Sequence, residues 1–124
     1  MKIAPSKNLW NEADARAAAR ATKPRELGLR VYSSRLLGAD PALVYAGGGN
    51  TSAKGALVDH AGREQRVLWV KGSGTALATI TGCGFAALRL DAVTPPRSRR
   101  AMADASMVAY LRRCVLGPAP PRPA

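Results

Sequence analysis

A length of 124 residues suits one domain. With 47% hydrophobic and 22% charged residues, a collagen-like or wholly disordered polypeptide is excluded. No apolar run approaches the ~18 residues of a membrane span, and the start, Met1-Lys2-Ile3-Ala4-Pro5-Ser6-Lys7, lacks the apolar core of a secretory signal, so a cytoplasmic location with no membrane partner is expected.

The net charge of +11 raises nucleic acid as a partner. Its distribution weakens that reading. Residues 1–40 hold eight basic and four acidic groups, residues 41–92 five and three, and residues 93–124 six and one. Only the last third is markedly basic, through Arg97, Arg99, Arg100, Arg112 and Arg113, and 5% aromatic content is too low for obvious base-stacking platforms. Cys83 and Cys114 form no CxxC, which excludes a cysteine-built zinc ribbon. They read as two ordinary small hydrophobes kept reduced, with a disulfide as the open alternative.

In chain order, Trp10, Ala13, Ala17 and Ala18 recur at helical spacing, predicting a first helix over 8–22 capped by Asn8 or Asn11. Lys23-Pro24 interrupts it. A second helix begins at Pro24, carries Leu27, Val31, Ser34 or Arg35, and Leu37 on its apolar side, and is closed by Gly38 in the usual C-terminal position. Leu43-Val44-Tyr45 reads as a short buried strand entering Gly47-Gly48-Gly49-Asn50. Strands are expected over 51–59 and 64–71, joined by the hairpin chemistry of Asp59-His60-Ala61-Gly62. The continuous run Val67-Leu68-Trp69-Val70 suggests a central strand buried on both faces. Residues 75–81 suit a short helical turn, and 85–90 fit strand or helix equally. A last amphipathic helix over 97–116 carries Met102, Ala105, Val108, Leu111 and Val115 in one stripe, read as core packing. Gly117 ends it, and the proline-rich residues 118–124 are a disordered tail behind a domain over 1–117. The class is α/β or α+β.

The chemistry lies at two strand ends. Gly47-Gly48-Gly49-Asn50-Thr51-Ser52 frees the backbone to curl, then supplies an amide and two hydroxyls; Lys71-Gly72-Ser73-Gly74 adds a cation, bare N–H groups and a hydroxyl. Such concave donors hold a phosphate or carboxylate. Neither loop is a P-loop or a dinucleotide fingerprint, and each alone is better read as a tight turn; it is the two together, flanking one hairpin, that raise the anion-site reading. His60, the single histidine, falls in the hairpin turn and reads as an exposed turn residue, since one imidazole holds no zinc.

The run Leu43-Val44-Tyr45-Ala46-Gly47-Gly48-Gly49-Asn50-Thr51-Ser52-Ala53-Lys54 with Val67-Leu68-Trp69-Val70-Lys71-Gly72-Ser73-Gly74 resembles the N-terminal part of the class II aldolase/adducin family. The nearest branch is the rhamnulose-1-phosphate-aldolase-like domain fused to a short-chain dehydrogenase. Leu9-Trp10-Asn11, residues 30–38, residues 77–80, residues 84–91 and residues 107–111 extend the similarity over roughly 8–117. The resemblance implies α/β/α layers around a mainly antiparallel sheet, in an incomplete class II aldolase-like domain. It implies that Asn50, Ser73 and Gly74 bind the phosphate of a phosphorylated sugar, with Gly49, Thr51, Ser52 and Lys71 completing the site. Family members use zinc on histidines of an HxH pair and one later histidine, with a glutamate as acid/base, to cleave a ketose 1-phosphate by retro-aldol chemistry. None of these residues is in this chain. Pro121-Arg122-Pro123 resembles the approach to the glutamate segment, and the sequence stops at Ala124. Thr75-Ala76 stands where close relatives have Trp-Asp.

The expectation is therefore a truncated aldolase-like domain with no catalytic residue, no metal ligand and no cofactor of its own. It would retain two phosphate-binding loops and be inactive alone. The alternative is a binding or assembly module that forms a homo-oligomer or pairs with a C-terminal half, because the last helix shows an apolar stripe in so short a chain. A basic nucleic-acid binder is the third reading.

Overall fold

The computed structural model describes residues 8–45, 47–59, 61–95 and 100–116. His60, Gly117, the tail 118–124 and the arginines 97 and 99 lie outside them.

Helix α1 spans Glu12–Ala21 and α2 Arg25–Gly38. Of the two candidate caps, Asn11 is the one used: its side chain accepts the Asp14 N–H at 3.0 Å, beside the acidic first turn of Glu12 and Asp14. Trp10 and Tyr32 meet edge to face at 4.9 Å, and the Tyr32 hydroxyl accepts the Asn11 N–H. The helices approach closely at Gly28, where a Cβ would fall 2.4 Å from the Ala18 carbonyl oxygen.

Three antiparallel strands follow, β1 Ser52–Val58, β2 Glu64–Lys71 and β3 Phe85–Arg89, in the order β1-β2-β3. The β1–β2 hairpin turns on Asp59, whose side chain accepts the Ala61 and Arg63 N–H groups, and on Gly62 at φ +75°. Alternation places Val67 and Trp69 on one face, where they pack with Phe85, Ile80 and the α2 residues Leu27 and Val31. Fully burying Val67 or Ile80 stabilises by about 1.5–3 kcal/mol each. Gly55 opposes Val67 and leaves room for the Trp69 ring, which a Cβ there would meet at 2.3 Å. The chain is thus α/β with an antiparallel sheet. After β3 come α3 (Leu90–Val93) and α4 (Asp104–Cys114), joined by the Tyr110 hydroxyl donating to the Ala92 carbonyl. Val115 bridges Leu88 on the outer edge of β3, and the Leu116 N–H reaches the Ala87 carbonyl at 2.8 Å.

Several expectations are corrected. Leu43-Val44-Tyr45 is no strand: the Leu43 and Val44 N–H groups go to the Asp40 carbonyl in a turn, and Leu43 and Tyr45 are exposed. An Asp-Pro start offers the backbone local partners, and these win over ladder bonds. Strand β2 is fully buried on one face only, with Leu68 and Val70 half-buried. Gly38 does not end α2 through a left-handed cap; the residue after it, Ala39, stays in the right-handed region. Its lack of a side chain serves a close approach to Leu77 and Ala78. The segment 85–90 resolves as strand up to Arg89, with α3 starting at Leu90. Helix α4 begins at Asp104 and its stripe is not core: Val108 is 45% exposed, and Cys114 alone is buried on the described helix. The two cysteines also differ, since both are free but Cys83 is exposed.

Candidate functional site

The first glycine loop curls where Gly48 donates to the Tyr45 carbonyl at 2.9 Å, and Gly49 then takes φ +83°. Glycine is required at 49 twice over, by that φ and because a Cβ would meet Leu77 Cδ1 at 2.8 Å. The second loop is a tight turn in which Thr75 donates to the Gly72 carbonyl and Gly74, at φ +80°, occupies the third position. Glycine at the third position with positive φ is what a type II turn requires. Gly72 donates to the Gly84 carbonyl at 2.7 Å, tying this loop to the start of β3.

Strand pairing brings the loops together. Ser52 lies opposite Val70, so the entry to β1 and the exit from β2 are neighbours, and the Lys71 N–H donates to the Thr51 carbonyl at 3.1 Å. Helix α2 anchors the first loop and the segment that follows the second. Ser34, fully buried, donates to the Arg30 carbonyl at 2.5 Å and therefore accepts the Thr51 hydroxyl proton at 2.7 Å. One turn position on, Arg35 Nε donates to the Ile80 carbonyl at 2.7 Å. Gly38 then packs against Leu77–Ala78.

Of the residues proposed from sequence, Gly49, Asn50, Ser52, Ser73 and Gly74 are exposed at this end of the sheet. Thr51 is half-buried with its hydroxyl turned to Ser34. Lys71 is 3% exposed, and its Nζ donates to the Gly47 and Thr75 carbonyls at 3.0 Å each. The ammonium thus sits between the loops, on their carbonyls. Its placement among backbone oxygens was not legible from the sequence. The same is true of Ser34 and Arg35 as anchors, although a serine continuing the Leu27–Val31 stripe is a visible signal for a buried hydroxyl.

The surface supplies backbone N–H groups, an amide and hydroxyls, a donor set for an anion. It does not fit zinc. Among the described residues no group of three or more His, Cys, Asp or Glu side chains converges, and the sequence holds one histidine. A cavity of about 520 Å³ lies elsewhere, between Glu64, Arg66 and Asp91, and none of the loop residues lines it.

A solved structure described as the N-terminal class II aldolase domain of a conserved protein from Thermoplasma acidophilum superposes with a TM-score of 0.82 at 39% identity, over 97% of this chain. Over its described length the chain is class II aldolase-like. It spans 52% of that Thermoplasma chain. It is also 42% identical over 118 residues to the uncharacterized oxidoreductase YuxG of Bacillus subtilis (strain 168), covering 95% of this chain and 16% of that protein. No family model matches the chain. Among the described residues no helix is long and apolar enough to cross a membrane.

Proposed function

We propose that the two glycine loops form the phosphate-binding part of a class II aldolase-like site, taking the phosphate of a ketose 1-phosphate. The observation that carries this reading is the convergence of two N–H-rich loops at one end of the sheet, with Lys71 bonded to both. Asn50 and Ser73 supply side-chain donors, Thr51 and Ser52 flank them, and Gly49 and Gly74 set the backbone curvature. Retro-aldol cleavage also needs an electrophile at the carbonyl oxygen and an acid/base. These 124 residues do not offer the zinc donors, so the chain by itself binds and does not cleave. In the complete family domain, zinc supplies the electrophile. The oxidoreductase name of the Bacillus protein, of which the chain covers 16%, fits an aldolase-like domain fused to a dehydrogenase.

Titration of 15N-labelled chain with inorganic phosphate and with rhamnulose 1-phosphate tests the reading. The expected result is shifts at the Gly49, Asn50, Ser73 and Gly74 amides, and an affinity lowered about tenfold or more in Asn50→Asp, which places a negative charge against the anion. Shifts confined to other surfaces would remove the reading. No dihydroxyacetone phosphate should be released, with or without added zinc.

A second reading rests on α4, where Met107 and Val108 are each 45% exposed, and on the single bridge Leu88–Val115 at the β3 edge. It makes the chain an assembly module, joined to its own copy or to the other half of an aldolase-like domain. Sedimentation velocity separates the cases: a monomer with one cooperative unfolding transition removes it.

A further inference from the structure

The sequence reading counts Lys71 among the phosphate ligands. A lysine that meets phosphate directly does so as a mobile point charge on a flexible stem. Lys71 is the opposite case: it is the last residue of β2, it is 3% exposed, and its Nζ lies 3.0 Å from the carbonyl oxygens of both Gly47 and Thr75. A buried ammonium is costly unless its protons are bonded, and two of the three here are spent on one carbonyl from each glycine loop. Lys71 and Gly47 are 24 residues apart in sequence. The loops are flanked by glycines that carry no side-chain packing of their own: a Cβ at Gly47 or Gly74 would meet nothing within 4 Å. Strand pairing fixes the bases of the loops at Thr51 and Lys71, and the Lys71 ammonium adds a tie further out, at Gly47 and Thr75.

We infer that Lys71 is a positioning residue: it clamps the two loops at a fixed separation through their carbonyls and does not itself contact phosphate. The charge still favours an anion above it through the loop backbone, as a fixed positive centre in a poorly solvated place. The inference rests on the phosphate-site reading for its functional meaning, but the clamp itself is testable in the ligand-free chain.

Two measurements on the full 124-residue chain decide it. First, in ligand-free protein, hydrogen exchange of Lys71→Met is compared with wild type. The clamp predicts that the hydrogen-bonded amide of each loop, Gly48 (to the Tyr45 carbonyl) and Thr75 (to the Gly72 carbonyl), exchanges about tenfold or more faster, about 1.4 kcal/mol in opening free energy. The β1–β2 ladder from Ala53 to Leu57 should keep its protection. Uniform acceleration, or acceleration in one loop only, overturns the clamp. Second, the wild-type Lys71 ammonium resonance is followed during a titration with inorganic phosphate. The expected result is that loop amides shift while the ammonium signal keeps its position and its slow proton exchange. An ammonium signal that moves with the loop amides makes Lys71 a direct ligand and overturns the inference. If no amide responds to phosphate, the site reading fails, while the exchange result still judges the clamp. Should Lys71→Met not fold, slow exchange of the wild-type ammonium protons alone carries the decision: rapid exchange refutes the clamp.

Discussion

Replacing Gly38 by alanine separates two explanations of a glycine at the end of α2. If it merely ended a helix, Gly38→Ala would be neutral or would gain the helix propensity of alanine, about 1 kcal/mol. The structure gives the opposite sign. The added Cβ would lie 2.3 Å from the Ala78 nitrogen, 2.6 Å from the Leu77 carbonyl carbon and 2.7 Å from Leu77 Cβ. Two of these atoms are backbone, and Leu77 is 1% exposed, so no flexible side-chain end can swing away. Reaching ordinary contact means moving α2 and the 3-10 turn at Leu77–Thr79 apart by about 1 Å in a close-packed region. Overpacking of this kind costs about 1–3 kcal/mol and backbone on both sides puts it at the upper end. Set against the propensity gain, the net loss is about 2 kcal/mol, or roughly 8 °C in Tm. Urea unfolding of Gly38→Ala should show a lower midpoint at unchanged slope. Gly47→Ala is the control: a Cβ there meets nothing within 4 Å and its φ is not positive, so its stability should change by less than about 1 kcal/mol. Gly38→Ala at or above wild-type stability would refute the close-approach argument.

Ser34→Ala removes the donor to Arg30 and strands the Thr51 hydroxyl, and should cost about 1–2 kcal/mol. In a double-mutant cycle with Thr51→Val the two losses should fall short of additivity, and simple additivity would mean the 2.7 Å contact carries no energy. Under native conditions Cys83 should react with a thiol reagent at once, and Cys114 only through opening of the α4–β3 region; equal rates would contradict the burial. Burial pushes the Cys114 thiol above its ordinary value, with Arg89 opposing and Asp91 adding to the effect. A raised pKa in the folded state means stability that is complete below the ordinary thiol value and is lost as pH rises past about 9. Cys114→Ala should lose that alkaline decline relative to wild type in unfolding measured across the range, and parallel curves would argue against it.

The sequence by itself determined the elements that repeat a period or carry a strong local signal. An asparagine cap at 8 or 11 before α1, the Asp59–Gly62 hairpin and β2 over Glu64–Lys71 all rest on chemistry within a few residues. The two loops were legible for the same reason, since consecutive glycines beside an amide and hydroxyls signal curved backbone with donors. Leu43–Tyr45 shows where that reading fails: three apolar residues suit a strand, but a strand needs a neighbour to pair with, and the Asp40 turn satisfied the N–H groups first. Tertiary structure alone decided what each polar group faces. The sequence shows Lys71 at a strand end beside two loops. Only the antiparallel pairing of β1 with β2 puts the Gly47 carbonyl, 24 residues away, onto its ammonium and takes that charge out of water. Gly38 and Ser34 follow the same rule. Their identities are local, but their reasons are the backbone of Leu77–Ala78 and the hydroxyl of Thr51, which lie next to them only once α2 is laid against the loops.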